Sequence, residues 1–452
     1  MVAIPKRGTG ISKSPYTLLG LKDLPFPTEP VVDPYNSDPR RNGTIYAESP
    51  VKSEIEKFEQ LLIRPGDFTN RVRLSYLWSK GDKESGRGMG KTALLRYFRQ
   101  RINKDWGITE FNGQFSAAVV YVAFPSQVDR RYMEQLAWSA LVDICKNGVL
   151  DASRAALRLE ILTPEQAEAA IETSDGSQNF DNLLDDTILQ AKNIDTDNLN
   201  KQIVERLKKD GIQTQIAQSL IRGQFDQYLR TLRKDGNLEP FYIPRDTKNL
   251  DYSRTLLFND MVYYLKAAGF AGGYLFIDDI ENLVDLMTRK HRIEFAKEFG
   301  LCTVRPGYAN TACNFFSSVL TTHQQASVAL SQAWGEAGLS SIARLDPNSP
   351  NSVELPLPTI NQAREILVAH LDYYRVNETE KGTIKPFTES GITSLINKRQ
   401  HPRELLSSAA KVVLRAVEKK VNTIDETIVN EAMDSSSVTS IPDFSEGIDG
   451  AT

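Results

Sequence analysis

The apolar positions change period along the chain, and each change marks an element. Over residues 72–78, Val72, Leu74, Tyr76 and Trp78 alternate with polar or charged residues until Leu77, which predicts a short buried strand. Leu94, Leu95, Phe98 and Ile102 then recur at helical spacing. Residues 117–124 are a near-continuous apolar run, as in a parallel strand covered on both faces. A helix is expected from about Arg131 to Ile144. Strand, helix, strand, helix is the opening of a doubly wound α/β core.

The pattern breaks between about 150 and 250. Largely polar helices are predicted over 164–172, 180–191 and 199–232, joined by Asp, Ser, Asn and Gly turns. The last is charged along much of its length and just beyond it (Lys208, Lys209, Asp210, Arg222, Arg230, Arg233, Lys234). This reads as a helical insertion. A solvated appendage is the plainer reading, a partner- or DNA-binding element the sharper one. The core resumes with a helix over 256–268 and an apolar strand from 272 that runs into Asp278 and Asp279. A strand over 314–323 follows, ending in Thr321, Thr322 and His323, then a helix over 324–334 and a last short strand at 353–357.

After Pro358 the pattern is helical. Ala363, Ile366, Leu367, Ala369 and Leu371 line one helix, and a second covers 389–398. A third starts at His401-Pro402 and buries Leu405, Leu406, Ala409, Val413, Leu414 and Val417. A fourth covers 423–433, with Asp425 and Glu426 in its first turn, where acids suit the helix dipole.

At the other end, Pro15, Pro25, Pro27, Pro30, Pro34 and Pro39 exclude long regular elements from residues 1–44. Leu18, Leu19, Leu21, Leu24 and Phe26 could anchor an extended arm on the core or on a neighbouring subunit; disorder is the alternative. Ser49 and Pro50 read as N-cap and first position of a helix whose apolar face is Val51, Ile55, Phe58, Leu61 and Leu62. The predicted organisation is an arm (1–44), a core in two parts (45–149 and 251–357), a helical insertion (150–250), a helical lid (358–433) and a disordered tail (434–452).

Two stretches carry chemistry. Ser85, Gly86, Arg87, Gly88, Met89, Gly90, Lys91 and Thr92 approach the phosphate-loop pattern Gly-x-x-x-x-Gly-Lys-Ser/Thr, with the first glycine displaced to Gly86. Three glycines within five residues let backbone N–H groups turn inward around phosphate oxygens. Lys91 is expected on the β- and γ-phosphates and the Thr92 hydroxyl on Mg²⁺. The loop precedes a helix, whose N-terminus favours an anion. The second stretch is the acidic strand end. Asp278 is expected to hold Mg²⁺ with Thr92, Asp279 to polarise the attacking water, and Glu281 to stand in reserve for that base. At the end of the next strand, Thr322 is the first candidate for a polar residue near the γ-phosphate, then Thr321 or His323.

Bulk composition narrows the partners. The 452 residues allow two or three domains. A net charge of −4 excludes a polycation over the whole surface but allows a local basic patch. Cys145, Cys302 and Cys313 have no paired spacing and the four histidines do not cluster, so no disulfide framework or zinc site is expected, and a reducing cytoplasm fits. No apolar run approaches a membrane span.

The glycine loop with Lys91 and Thr92, the strand ending in Asp278 and Asp279, the polar strand end and a helical lid with Pro402-Arg403 at a helix start together resemble AAA+ ATPases. The order looks most like the replication-initiator and transposition-ATPase branch and the related STAND signalling ATPases, over roughly 45–145 and 255–433. The resemblance implies a P-loop parallel-sheet core with ATP and Mg²⁺. Lys91 and Thr92 resemble Walker A, Asp278 and Asp279 Walker B, Thr322 sensor 1 and Arg403 sensor 2. Arg344 matches the arginine finger presented to a neighbour's ATP. An ATP-dependent oligomer that engages DNA or recruits an effector protein is then expected; the alternative is a STAND-like module that hydrolyses weakly and gates a protein partner. The chain departs from the pattern in its Asp-Asp pair, where Asp-Glu is usual, in the lack of a winged helix after the lid, and in the insertion.

Overall fold

A computed structural model of the chain describes residues 14–29, 37–63, 72–81, 86, 88–124, 132–173, 176–212, 214–222, 233–234, 237–238, 258, 261–305, 314–399 and 401–434. The architecture is mixed α/β. Five strands, β1 (Leu74–Ser79), β2 (Ala117–Ala123), β3 (Gly272–Asp278), β4 (Phe316–His323) and β5 (Ser352–Leu355), form one parallel sheet in the order β2-β3-β4-β1-β5. Every residue of β1, β3 and β4 is buried. β1 alternates in sequence, yet Ser75 and Ser79 are as enclosed as Tyr76 and Trp78.

The helices, in chain order, are α1 (Lys52–Phe58), α2 (Lys91–Asn103), α3 (Tyr132–Lys146), α4 (Val149–Ile161), α5 (Pro164–Ile171), α6 (Asp186–Ala191), α7 (Thr196–Lys209), α8 (Thr214–Arg222), α9 (Asn282–Leu286), α10 (Arg289–Phe299), α11 (Gln324–Glu336), α12 (Ile360–Tyr374), α13 (Glu389–Lys398), α14 (Pro402–Glu418) and α15 (Glu426–Asp434). Ser49 and Pro50 open a 3₁₀ turn that leads into α1, and Glu59–Ile63 continues α1 as a π-turn. Among the described residues no helix is long and apolar enough to cross a membrane. The chain divides into two compact units, one drawn from 1–52, 88–97 and 356–452, the other from 53–87 and 98–355.

The second unit holds the sheet. Its strand order reverses direction: β1 leads to β2 beyond β4 and β3, whereas β4 leads back past β1 to β5. Parallel crossovers are right-handed, so the helices that follow β1 and β4 should cover opposite faces. The packing agrees. Tyr76, Leu320 and Ile277 share a register row, and on that face the α11 residue Trp334 donates its indole N–H to the Tyr76 hydroxyl at 2.9 Å. Phe276 faces the other way, where Phe58 packs edge-on against it at 6.0 Å and stacks on Phe98 of α2 at 4.4 Å. The neighbours β1 and β4 therefore flank the topological switch point, where ligands of open α/β sheets bind beyond the strands' carboxyl ends. At the free edge, side chains occupy the backbone of β2. Asn103 exchanges two bonds with Val119, and Asp143 accepts from the Tyr121 amide at 2.9 Å while pairing with Arg99 at 2.8 Å.

The segment expected as a polar appendage is built into the same core. Leu150 and Leu157 of α4, Ala170, Leu183, Leu189, Leu199, Ile203, Leu207 and Leu220 belong to one apolar cluster with Leu74, Val120 and Leu275. The helix predicted over 199–232 is broken into α7 and α8 by a turn at Asp210 and Gly211. Arg230 and the side chains of Arg222, Arg233 and Lys234 lie outside the described residues, as do residues 256, 257, 259 and 260 of the helix predicted over 256–268; residues 261–267 are helical.

The first unit holds the C-terminal helices α12–α15, each close to its predicted place, and the N-terminal arm. Leu19, Leu21, Leu24 and Phe26 are buried among Leu367, Leu371, Phe387, Leu405 and Val413, so the arm packs on the helical region of its own chain. Main-chain bonds from Lys22 N to Tyr374 O (2.7 Å) and from Val376 N to Gly20 O (3.0 Å) tie it down. Residues 1–13, 30–36 and the tail beyond Asp434 lie outside the described residues.

Candidate functional site

Ser79, the last residue of β1, donates its hydroxyl to the Gly86 carbonyl at 2.7 Å, which turns the chain out of the strand. The outgoing loop is also stitched to the start of α11: Gln325 N donates to Gly81 O at 3.2 Å and the Gln324 carboxamide oxygen accepts from Gly81 N at 3.3 Å. Ser85 and Arg87 lie outside the described residues. Gly88 and Gly90 adopt φ of +79° and +93°, a left-handed region that L-residues avoid. The Gly90 carbonyl accepts from Leu94 N at 2.9 Å, so Lys91 and Thr92 take the first two positions of α2. Amides of a first helical turn have no intrahelical acceptor. Lys91 is buried with Met89, and Thr92 is half-buried.

The lid residue predicted to face this loop reaches it through its main chain. Pro402 begins α14 with its fixed φ and missing N–H suited to a first position. The next amide, Arg403 N, donates to Gly88 O at 3.2 Å. A Cβ added to Gly88 would lie 3.0 Å from the Arg403 Cβ, whereas one added to Gly90 would meet nothing within 4 Å. Arg403 itself is exposed.

In the second unit, Asp278 ends β3 almost fully buried, with donors on both oxygens. The Tyr121 hydroxyl donates to Oδ2 at 2.7 Å, and the Thr321 hydroxyl donates to Oδ1 at 2.5 Å. Thr321 Oγ1 in turn accepts from the Asp279 amide at 2.8 Å, and that amide also approaches Asp278 Oδ1 at 3.1 Å. Asp279 sits at φ +58°, a conformation Asp tolerates better than most residues. The chain thus turns sharply directly after the acid. Glu281 is buried and holds the N-cap position before α9.

The polar strand end delivers Thr321 to Asp278. Thr322, the first choice from the sequence, lies on the opposite face, where its hydroxyl approaches His323 O at 3.4 Å. His323 caps α11, its Nδ1 accepting from Ala326 N at 3.3 Å. Arg344 is exposed between the buried Ala343 and Leu345. Of the predicted site residues, Gly88, Met89, Gly90, Lys91, Thr92 and Arg403 belong to the first unit, and Gly86, Asp278, Asp279, Glu281, Thr322 and Arg344 to the second.

Tyr121 was not singled out from the sequence. It is the one hydroxyl in an otherwise apolar strand, and that is the signal that could have marked it. The residues fit the implied groups. Left-handed glycines ahead of a 13-residue helix, with open space above Gly90, suit a phosphate. A buried carboxylate at a strand end is the hard oxygen donor that Mg²⁺ takes.

No family model and no curated protein matches the chain. Among solved structures, one described as the Aeropyrum pernix ORC2 protein in ADPNP–ADP complexes is similar, with 8% sequence identity, a TM-score of 0.40, and coverage of 91% of this chain and 71% of that one. A likeness of that degree decides nothing about function.

Proposed function

We propose that the chain is a Mg²⁺-dependent ATPase that acts as an ATP-dependent oligomeric switch, engaging DNA or recruiting an effector protein in the cytoplasm. The observation that supports this best is the bond between the Arg403 amide and the Gly88 carbonyl. It sets an arginine-bearing helix start against a left-handed glycine loop, the arrangement a phosphate chain enclosed by loop and lid requires.

In this reading Gly86 to Gly90 cradle the phosphates and Lys91 neutralises their β- and γ-oxygens. Thr92 and Asp278 hold Mg²⁺, which supplies charge neutralisation of the phosphate oxygens. Asp279 orients the attacking water with Glu281 in reserve, and Thr321 or Thr322 senses the γ-phosphate. Arg403 touches the nucleotide from the lid, and Arg344 serves a neighbouring subunit's site. The domain assignment is that of the sequence, with the arm joined to the lid.

The second reading, a STAND-like module that binds ATP, turns it over slowly and gates a protein partner, is favoured by Asp279. It is the shorter acid, and its amide is held by Thr321. Sizing the protein with and without ATP, with and without duplex DNA at low and high salt, separates the two. The switch reading expects ATP-dependent assembly and salt-sensitive DNA binding, because phosphate contacts release counterions. ATP-loaded protein with no DNA affinity at low salt leaves the protein-gating reading. A Lys91→Ala variant that keeps full ATP affinity removes the nucleotide site altogether. An Arg344→Ala variant is expected to bind ATP normally and lose the rise of activity per subunit with concentration.

A further inference from the structure

Asp278 is held by two hydroxyls of different origin. Thr321 comes from the adjacent strand β4, as the polar strand end leads one to expect. Tyr121 comes from β2 on the other side, two residues before that strand ends, and reaches across to Oδ2 at 2.7 Å. Tyr121 is buried and fixed at both ends: its amide donates to Asp143 at 2.9 Å, and Asp143 is locked by Arg99 and by Asn147 at 3.2 Å. The ring therefore has a set distance and angle from which to donate.

A carboxylate has two oxygens and about four lone-pair sites. The Tyr121 phenol takes one site on Oδ2 and leaves a lone pair there, while the Thr321 hydroxyl and the Asp279 amide both point at Oδ1; together they pin the carboxylate plane. Donors behind a metal-binding carboxylate decide how much rotational freedom it loses on binding, and removing one typically costs ten- to a hundredfold in metal affinity. We propose that Tyr121 is a positioning residue for Asp278 and sets the affinity of the nucleotide-loaded protein for Mg²⁺. This rests on the nucleotide reading above.

The test is a Mg²⁺ titration of fluorescent ATP-analogue binding by the full chain, comparing the parent with Tyr121→Phe, which keeps the ring and removes only the donor. The same analogue is titrated in EDTA. The Mg²⁺ midpoint of Tyr121→Phe is expected to rise about tenfold or more, while analogue affinity in EDTA stays within twofold. A general packing defect would weaken both arms alike and overturns the proposal. So does a parent-like Mg²⁺ midpoint in Tyr121→Phe. Thr321→Val, which removes the hydroxyl donor from the other oxygen, is the second variant: combined with Tyr121→Phe it is expected to raise the midpoint beyond either single change. A parent that binds no analogue at any Mg²⁺ concentration overturns the nucleotide reading and this proposal together, whereas a normal parent with an unmoved Tyr121→Phe midpoint overturns this proposal alone.

Discussion

The amide of Arg403 donates to the carbonyl of Gly88 at 3.2 Å, and the Arg403 Cβ stands 3.0 Å from where a Gly88 side chain would begin. Gly88 and Gly90 thus answer to different constraints. Both need left-handed backbone, which costs an L-residue roughly 1–2 kcal/mol. Only Gly88 also has a neighbour in the way. Gly90→Ala is expected to cost about that amount and no more. Gly88→Ala must in addition push α14 outward, so it should unfold at clearly lower denaturant and bind ATP more weakly than Gly90→Ala. Equal unfolding midpoints would mean that the start of α14 does not rest on the loop.

Thr321 and Thr322 are one residue apart and face opposite ways. Thr321→Val removes a buried donor to Asp278 and the nearer of two acceptors of the part-buried Asp279 amide. A hydrogen bond to a charged group contributes roughly 1.5–3 kcal/mol. Thr321→Val is expected to lower both stability and ATP turnover, the latter by about tenfold if 1.4 kcal/mol is lost from the transition state. Thr322→Val should stay within about threefold of the parent. Steady-state ATPase assays on the two variants check this, and the reverse ranking would return the γ-phosphate role to Thr322.

The contrast shows what was legible in the sequence. The strands were readable because parallel strands buried on both faces appear as apolar runs, and the C-terminal helical region because its four helices carry clean amphipathic spacing. Thr321 against Thr322 was not, since the choice depends on strand register, and a slip of one residue exchanges the faces. Here the pairing of Ile277 with Leu320 decides it. Tyr121 became visible only when the strand order put β2 beside β3. That the helices from α4 to α8 join the core was not legible, because Arg154 and Arg158 interrupt the apolar face of α4 and charged residues usually mark a surface. Arg158 is instead fully buried, donating to Leu183 O at 2.6 Å, Asp186 at 2.5 Å and Asn200 at 3.1 Å.

The arm is built into the core of the C-terminal helical region. Phe26 is wholly buried, 5.9 Å from the His370 ring and 6.5 Å from Phe387. Truncating a buried Phe to Ala typically costs about 3–5 kcal/mol. Phe26→Ala is therefore expected to lower the unfolding midpoint of the helical region, followed by denaturant titration of full-length protein. A loss below about 1 kcal/mol would class the arm as a surface strap.

His370 gives that contact a pH dependence. Its Nδ1 lies 3.1 Å from Pro25 O, and since a carbonyl can only accept, the ring must carry its proton on Nδ1. Burial pushes its pKa down to about 4, with the Pro25 bond opposing in part. In the unfolded chain the ring should titrate near 6.5. Between these values the unfolded state binds a proton that the folded state does not, so stability rises with pH there. The contact between the arm and the C-terminal helices is expected to be at full strength above about pH 6.5 and to weaken steadily on acidification, losing on the order of 3 kcal/mol by pH 4. His370→Gln, which keeps an N–H for Pro25 but cannot titrate, should flatten that part of the curve. Urea unfolding of parent and variant between pH 4 and 8 measures it. Parallel curves would show that other groups carry the acid sensitivity.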